Sequence, residues 1–224
     1  LDIAVRYIPS DSVIAGLIRE VRKWHANEPD WYRCLEWLNS NYGYDRFRGT
    51  CHIMPNHGAI IMSLLYGDNN FQKSLMIANT SGLDTDCNAG NVGCFLGIKN
   101  GLDGIEEDAD WRGPISDRIY LGGGDCGRAI TDAVRESYDI ANMHRRMNGM
   151  ETLNPKNGAR FHFEMPGSVQ GFRVEASETP LKLKNVLGHS LLGEHALALQ
   201  CNSLRAGRFA RTATPTFIPE EFLE

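Results

Sequence analysis

The stretch DTDCNAG at residues 84–90 restricts the fold of this chain more than any other. It places two carboxylates two residues apart, beside a thiol and an amide, and an apolar, glycine-rich helix is predicted to follow at once. Acidic oxygens clustered on a short turn are how proteins hold hard divalent cations. The alternative is that Asp84 and Asp86 only complement the dipole of the following helix, which favours negative charge at its N-terminus.

The helix after this turn carries the small residues Ala89, Gly90, Gly93 and Gly97. Glycine inside a helix costs about 1 kcal/mol relative to alanine. Close packing of a neighbouring helix would offset that cost, so the helix is predicted to lie inside a bundle. Carboxylates projecting from bundle helices build metal sites, and the turn is therefore predicted to bind a metal with further ligands from elsewhere.

Asp84, Asp86 and Asn88 also match the first positions of an EF-hand loop. That interpretation fails, because Ala89 stands where the loop needs a glycine and Phe95 where it needs a glutamate.

Two other motifs carry weaker signals. The glycines Gly122, Gly124 and Gly127 match the dinucleotide-binding fingerprint, but no βαβ unit surrounds them, so a loop is predicted. Cys51-His52 with His57 has no zinc spacing, and this segment could equally line a pocket or lie on plain surface.

Cys87 is not expected to be a nucleophile. A helix N-terminus lowers the pKa of a thiol, but the apolar context and the two carboxylates beside Cys87 oppose that effect.

Residues 1–150 are predicted to fold into a mainly α-helical bundle, because apolar residues recur at helical spacing. Residues 43–55 are predicted to form a loop, and 102–124 an irregular acidic surface. The predicted helices are 11–24, 29–42, 56–67, 68–82, 88–98 and 130–147.

Residues 158–224 predict a partial all-β segment of the sandwich or jelly-roll kind. Short runs alternate with period two, and glycine and proline separate them. The segment is short for a closed sandwich and is expected to be incomplete. The predicted strands are 161–165, 172–175, 181–184, 196–199 and 212–217.

The composition of the 224-residue chain limits the classes of partner that it is expected to bind. A formal net charge of −5 without a dominant basic block argues against nucleic acid. No run of eighteen apolar residues occurs, so no membrane span is expected. The 6 cysteines form no C-x-x-C pair, which favours reduced thiols and a reducing compartment such as the cytoplasm.

Residues 82–97 resemble the C-terminal signature of the ADP-ribosylglycohydrolase family, which includes crystallin J1. The run CHIMPN at 51–56 and the predicted helix 130–147 are similar as well, so the resemblance covers about 1–147. It implies an all-α fold with a binuclear Mg²⁺ centre. The implied reaction is hydrolysis of an N- or O-glycosidic bond at the ribose C1″ of ADP-ribose.

By position, Asp84 and Asp86 resemble the family's metal-binding aspartates. Cys87 stands where many members carry a threonine ligand, and a thiol is a poor match for Mg²⁺. The family's other metal-binding half, an N-terminal Gly-Asp segment and a Thr-Asp-Asp cluster, is not found in this sequence. The chain is therefore expected to be the C-terminal part of a longer protein.

His52, Asn56 and Asn88 are the predicted substrate-binding residues. The expected partners are ADP-ribose, an ADP-ribosylated protein or a related riboside. Carbohydrate is expected at the β segment, which resembles accessory sugar-binding sandwiches fused to such enzymes. The alternative is a non-catalytic, crystallin-J1-like structural or ligand-binding protein of the same fold.

Overall fold

A computed structural model describes residues 1–49, 51–121 and 128–222 of the chain. The chain divides into two compact units, Leu1–Ala109 and Asp110–Glu224. The described residues form seven α-helices, namely α1 (Asp2–Val5), α2 (Val13–Asn27), α3 (Trp31–Tyr42), α4 (Ile53–Tyr66), α5 (Phe71–Thr80), α6 (Thr85–Ile105) and α7 (Ala133–Met147). Their strands are β1 (Arg118–Tyr120), β2 (Ile130–Asp132), β3 (Arg173–Val174), β4 (Leu181–Leu187), β5 (His195–Cys201) and β6 (Thr212–Ala213).

Several expectations can be compared with this description at once. None of the described helices combines the length and the apolar character needed to span a bilayer. The cysteines within the described ranges are free, which agrees with the prediction of reduced thiols. The predicted glycine loop at 122–127, which includes Cys126, lies outside the described residues.

Helix α4 forms the centre of the first unit. Its sequence is apolar around most of its circumference, and such a helix is stable only when it is buried on all sides. Helices α2 and α3 pack against it in one apolar cluster, and α5 and α6 pack against it in a second. Leu17, Leu38 and Met62 are fully buried in the first cluster.

The loop predicted to reach residue 55 ends one turn earlier, because α4 begins at Ile53. His52 caps the helix, and its Nδ1 accepts a hydrogen bond from the backbone N–H of Met54 at 3.1 Å. Pro55 falls in the first turn, where a proline is tolerated because its missing N–H has no partner in the helix. Asn56 therefore lies inside α4 and not at its start.

Helix α6 begins three residues before the predicted start and is interrupted at the predicted stop, Gly101, whose φ and ψ are 67° and −167°. The prediction that a helix packs on its glycine face is confirmed only in part for the described residues, because α5 lies against Gly93 but nothing lies against Gly90. A Cβ added to Gly90 would meet no atom within 4 Å, and one added to Gly93 would lie at an ordinary 3.5 Å from a leucine methyl of α5. The buried face of α6 carries Val92 and Leu96 instead.

In the second unit, the first turn of the predicted helix 130–147 is strand β2, which pairs antiparallel with β1. Helix α7 starts only at Ala133. Asp132 caps it, and its carboxylate accepts a hydrogen bond from the backbone N–H of Arg135 at 2.9 Å.

A sandwich is not confirmed, because the described strands form three separate antiparallel pairs, β1–β2, β3–β6 and β4–β5. Four of the predicted strands overlap β3, β4, β5 and β6, and β4 and β5 are longer than predicted. The stretch 161–165 is not a strand, because the backbone N–H groups of His162 and Phe163 donate to the side chain of Gln170 and not to a partner strand. The domain division near residue 150 stays a prediction.

Candidate metal centre

Asp84 is the residue at which the chain turns into α6. Its backbone is left-handed, with φ 45° and ψ 59°, a conformation that aspartate adopts more readily than most residues. Its side chain makes no capping hydrogen bond to α6. The carboxylate instead accepts a hydrogen bond from Asn56, with 2.9 Å between Oδ2 and Nδ2. Asp84 is therefore held by α4 and does not act as a side-chain cap for the helix it precedes.

Asp84, Asp86 and Cys87 form one cluster of potential metal ligands. One oxygen or sulfur atom from each residue lies within 4.8 Å of the others. Asp84 is half-buried, whereas Asp86 and Cys87 are exposed. Among the described residues there is no second group of at least three acidic, histidine or cysteine side chains with this spacing. Two carboxylates so close repel each other, and a bound cation would relieve that repulsion.

Two buried amides fix the backbone and the carboxylate of this turn. Asn56 is only 4% exposed, and its Oδ1 accepts a hydrogen bond from the hydroxyl of Tyr44 at 2.6 Å. Asn88 is 1% exposed and donates its amide to the carbonyl of Leu83, while its backbone N–H donates to the carbonyl of Asp84 at 3.0 Å. The turn is therefore tied to α4 on one side and to the first turn of α6 on the other.

This arrangement can be compared with known proteins. Residues 1–146 match the sequence model of the family described as ADP-ribosylglycohydrolase. The chain belongs to the ADP-ribosylglycohydrolase family. No match was found among curated proteins or among solved structures.

The ADP-ribosylglycohydrolase family implies Mg²⁺, and the cluster fits that ion in part. The carboxylates of Asp84 and Asp86 offer the oxygen ligands that Mg²⁺ prefers. Cys87 does not fit, because Mg²⁺ prefers oxygen ligands and a thiol is a soft one. The charges of Asp84 and Asp86 also raise the pKa of the Cys87 thiol. A hydrogen bond to Asp84 likewise raises the pKa of the Cys51 thiol. These shifts also agree with the expectation that Cys87 is not a nucleophile.

The predicted substrate-binding residues lie on both sides of the turn at Asp84. The amides of Asn56 and Asn88 are buried and bonded within the protein, as described above. His52 is half-buried and uses Nδ1 to cap α4. His57, on the same helix, has a buried Nε2 without a hydrogen-bond partner among the described residues, and burial lowers its pKa. Substrate contact by His52, Asn56 and Asn88 stays a prediction.

Two further side chains, Tyr44 and Cys51, belong to this site; Tyr44 carries no signal in the sequence, and Cys51 is marked only as part of a segment that could line a pocket. Both lie in the predicted loop 43–55, where no periodic pattern indicates which side chains face inward. The interaction of each with the turn depends on tertiary contact with α4 or with Asp84.

Replacing Asn56 with alanine should lower the free energy of unfolding by about 1–3 kcal/mol, because it leaves the Tyr44 hydroxyl and the Asp84 carboxylate without a buried partner. Urea denaturation followed by circular dichroism measures the change. Asn91→Ala is the matched control, since that exposed amide bonds, within the described ranges, only to the Cys87 carbonyl, and it should change stability by less than about 0.5 kcal/mol. Equal effects for the two variants would contradict the role assigned to Asn56.

Proposed function

We propose that this chain contributes Asp84 and Asp86 to an Mg²⁺ site that hydrolyses a glycosidic bond at the ribose of ADP-ribosylated substrates or of a related N- or O-riboside. The observation that carries the proposal is the pair of carboxylates at the start of α6, in a chain whose residues 1–146 match the ADP-ribosylglycohydrolase family. The family membership supports a hydrolase in general, and the metal and the substrate are the proposed part.

Each residue of the turn has a distinct role in this proposal. Asp84 presents one carboxylate oxygen while Asn56 holds the other, so the carboxylate cannot rotate freely. Asp86 is exposed on the first turn of α6 and adds a second carboxylate. Neither residue is assigned to transfer a proton. When bound, Mg²⁺ would orient the ribose hydroxyls and lower the pKa of a water molecule for attack.

A binuclear centre needs more oxygen ligands than these two carboxylates supply. Among the described residues only the Asp84 cluster groups three potential ligand side chains so closely. The proposal therefore places the remaining ligands, including a carboxylate that acts as the base, outside the described part of the chain.

The proposal is tested by release of ADP-ribose from an ADP-ribosylated protein by the full-length protein. Release should require Mg²⁺, should stop when a chelator removes the metal, and should resume when Mg²⁺ is added back. Substrates with N-linked and O-linked ADP-ribose, run in parallel, identify the bond that is cleaved. Release that continues undiminished in the chelator would rule out the metal part of the proposal, and no release from any substrate would rule out the reaction.

A second candidate is a non-catalytic protein that binds the same class of ligand. The observation in its favour is that Cys87 belongs to the ligand cluster, because Mg²⁺ prefers oxygen ligands and a thiol is a soft one. This candidate predicts that the full-length protein binds ADP-ribose in calorimetry without releasing it from any ADP-ribosylated substrate.

A further inference from the structure

The second unit contains a cavity of about 460 Å³ that no part of the proposed reaction uses. Three arginines line it, and no acidic side chain is among its described lining residues. Two phenylalanines, several threonines and a glutamine complete the wall. Cavities of this size with an apolar wall and a few convergent polar groups are typical sites for small ligands. The arginines and phenylalanines are Arg118, Arg135, Arg160, Phe161 and Phe217.

The positive charge of this cavity is only partly neutralised. Arg160 forms an ion pair with Asp132, which is 1% exposed. Arg118 donates from Nε to the carbonyl of Ile115 and from a terminal nitrogen to the hydroxyl of Tyr120, both at 3.1 Å, and so bonds only to neutral groups among the described residues. Two lining guanidinium groups, those of Arg118 and Arg135, therefore have no carboxylate bonded to them within the described ranges.

Arg135 is the least compensated of the three. Its guanidinium has no ion pair or hydrogen bond with the side chains that the structure describes, and only its backbone N–H is bonded, to Asp132. Burial, and then the charges of Arg128 and Arg160, lower the pKa of Arg135, while the charges of Glu136 and Asp132 act in the opposite direction. An arginine still stays charged at neutral pH, so an anion in the cavity would interact favourably with it.

A buried side chain holds the loop that carries Arg160 and Phe161. Gln170 is 1% exposed, and its Oε1 accepts from the backbone N–H groups of His162 and Phe163 at 2.9 and 2.7 Å. Its Nε2 donates to the carbonyl of Arg160 at 3.2 Å. The part of the cavity wall that carries Arg160 and Phe161 is therefore held by a side chain from the interior of the unit.

The next residue, Gly171, allows two parts of the wall to approach closely. Its φ is +85°, and an added Cβ would lie 3.0 Å from Thr214 Oγ1 and 3.1 Å from Arg118 Cγ. A side chain at residue 171 would therefore crowd Thr214 and Arg118 by a few tenths of an ångström and would be strained by the positive φ.

The phenylalanines give the cavity an apolar side. The Arg160 guanidinium lies 4.6 Å from the centre of the Phe161 ring, and the ring packs edge-on against Phe172 at 5.0 Å. Phe217 is 84% exposed and lines the cavity without burying its own ring. A ligand that covers Phe217 would remove this apolar surface from water.

We propose that this cavity binds a small sugar that carries one phosphate or carboxylate group. The phosphate or carboxylate group accepts hydrogen bonds from the guanidinium groups of Arg135 and Arg118, whose planar shape suits such oxyanions. The sugar ring packs against Phe161 and Phe217. This assigns a charge to the carbohydrate ligand expected at the β segment. The proposal concerns the second unit alone and does not depend on Asp84 or on hydrolysis.

Calorimetry on the full-length protein at low salt tests the site with four probes, namely glucose 6-phosphate, glucuronate, inorganic phosphate and glucose. Glucose 6-phosphate or glucuronate should bind at least about tenfold more tightly than glucose, because bonds to charged groups are the stronger ones. Which of the two binds more tightly identifies phosphate or carboxylate as the group recognised. If neither charged sugar binds at millimolar concentration, the proposal is wrong.

Two variants test whether the charged sugar binds in this cavity. Arg135→Gln should weaken the preferred charged sugar and inorganic phosphate by roughly 10- to 100-fold. Arg146→Gln removes one exposed positive charge from the far end of the same helix and should leave both affinities within about twofold. Equal effects of these two substitutions would overturn the site.

The variant Phe217→Ala tests how much the phenyl ring contributes to binding, separately from the arginines that bind the anion. Because Phe217 is exposed, the substitution should leave the thermal unfolding curve unchanged. The charged sugar should bind roughly 3- to 10-fold more weakly, while inorganic phosphate should be unaffected. A charged sugar that binds Phe217→Ala as tightly as the unmodified protein would overturn the sugar part of the proposal.

Discussion

Replacing Asp84 with alanine is expected to lower the Mg²⁺ affinity of the full-length protein by more than about 100-fold. Loss of a residue that only orients a metal ligand typically costs 10- to 100-fold, and Asp84 is proposed as a ligand itself. Its carboxylate is held by Asn56 at 2.9 Å, so it offers Mg²⁺ an oxygen in a fixed position. Calorimetric titration with Mg²⁺ measures the loss, and release of ADP-ribose should fall with it.

The matched control is Asp103→Ala, which removes the same charge from an exposed position at the other end of α6. It should leave the Mg²⁺ affinity within about twofold, because exposed charges at this distance are screened by salt. Asp86→Ala should resemble Asp84→Ala. An Asp84 variant that binds Mg²⁺ as well as the Asp103 variant would show that the turn does not hold the metal.

Replacing Leu38 with alanine should have the largest effect on stability, about 2–5 kcal/mol of lost unfolding free energy. Leu38 is fully buried between α3 and α4, and its removal would leave a cavity in the cluster that includes Leu17 and Met62. Urea denaturation measures the change. Ile98→Ala is the control, because that side chain is 82% exposed and its loss should matter by less than about 0.5 kcal/mol.

Gly58 on α4 gives this prediction a second, sharper test. An added Cβ there would lie 2.5 Å from Leu38 Cδ1, so Gly58→Ala alone should destabilise through overpacking, partly offset by better helix propensity. In the Leu38→Ala protein that clash is gone, and Gly58→Ala should instead stabilise by about 1 kcal/mol. Additive effects in this double-mutant cycle would mean that the two side chains do not meet as the structure has them.

Helix α4 shows how much of the first unit can be predicted from the sequence. Its apolar run indicated a buried helix, because burial on all sides leaves a direct pattern in the residue types. Its first turn was missed, since Pro55 is as common in loops as in first turns. The contact between Asn56 and Asp84 joins residues far apart in the chain, and no local pattern encodes it.

The turn itself was partly predictable. Asp84 and Asp86 were identified from their spacing, and the structure brings their carboxylates together with Cys87. The prediction drawn from the glycines of α6 is confirmed at Gly93 but not at Gly90, because a small helix face permits close packing but does not require it. Gly90 is exposed in the described chain, so its small size is not explained by a neighbour there.

In the second unit, period-two patterns located the longer strands but not their partners. The alternation at 161–165 is as regular as that of β4, yet Gln170 takes up its backbone N–H groups. The pattern of apolar and polar residues cannot show that a side chain, and not a neighbouring strand, accepts the backbone hydrogen bonds.

The boundary between the two compact units has an evolutionary consequence. The family match ends at residue 146, but α7 shares a unit with residues that follow it, through the ion pair of Asp132 with Arg160 and the ring contact of Tyr138 with His162 at 4.9 Å. A gene fusion or exchange with its breakpoint near 150 would leave Asp132 buried without its cation. Recombination that preserves folding should therefore cut near Ala109, so the end of the ADP-ribosylglycohydrolase region and the β segment would be inherited as one piece.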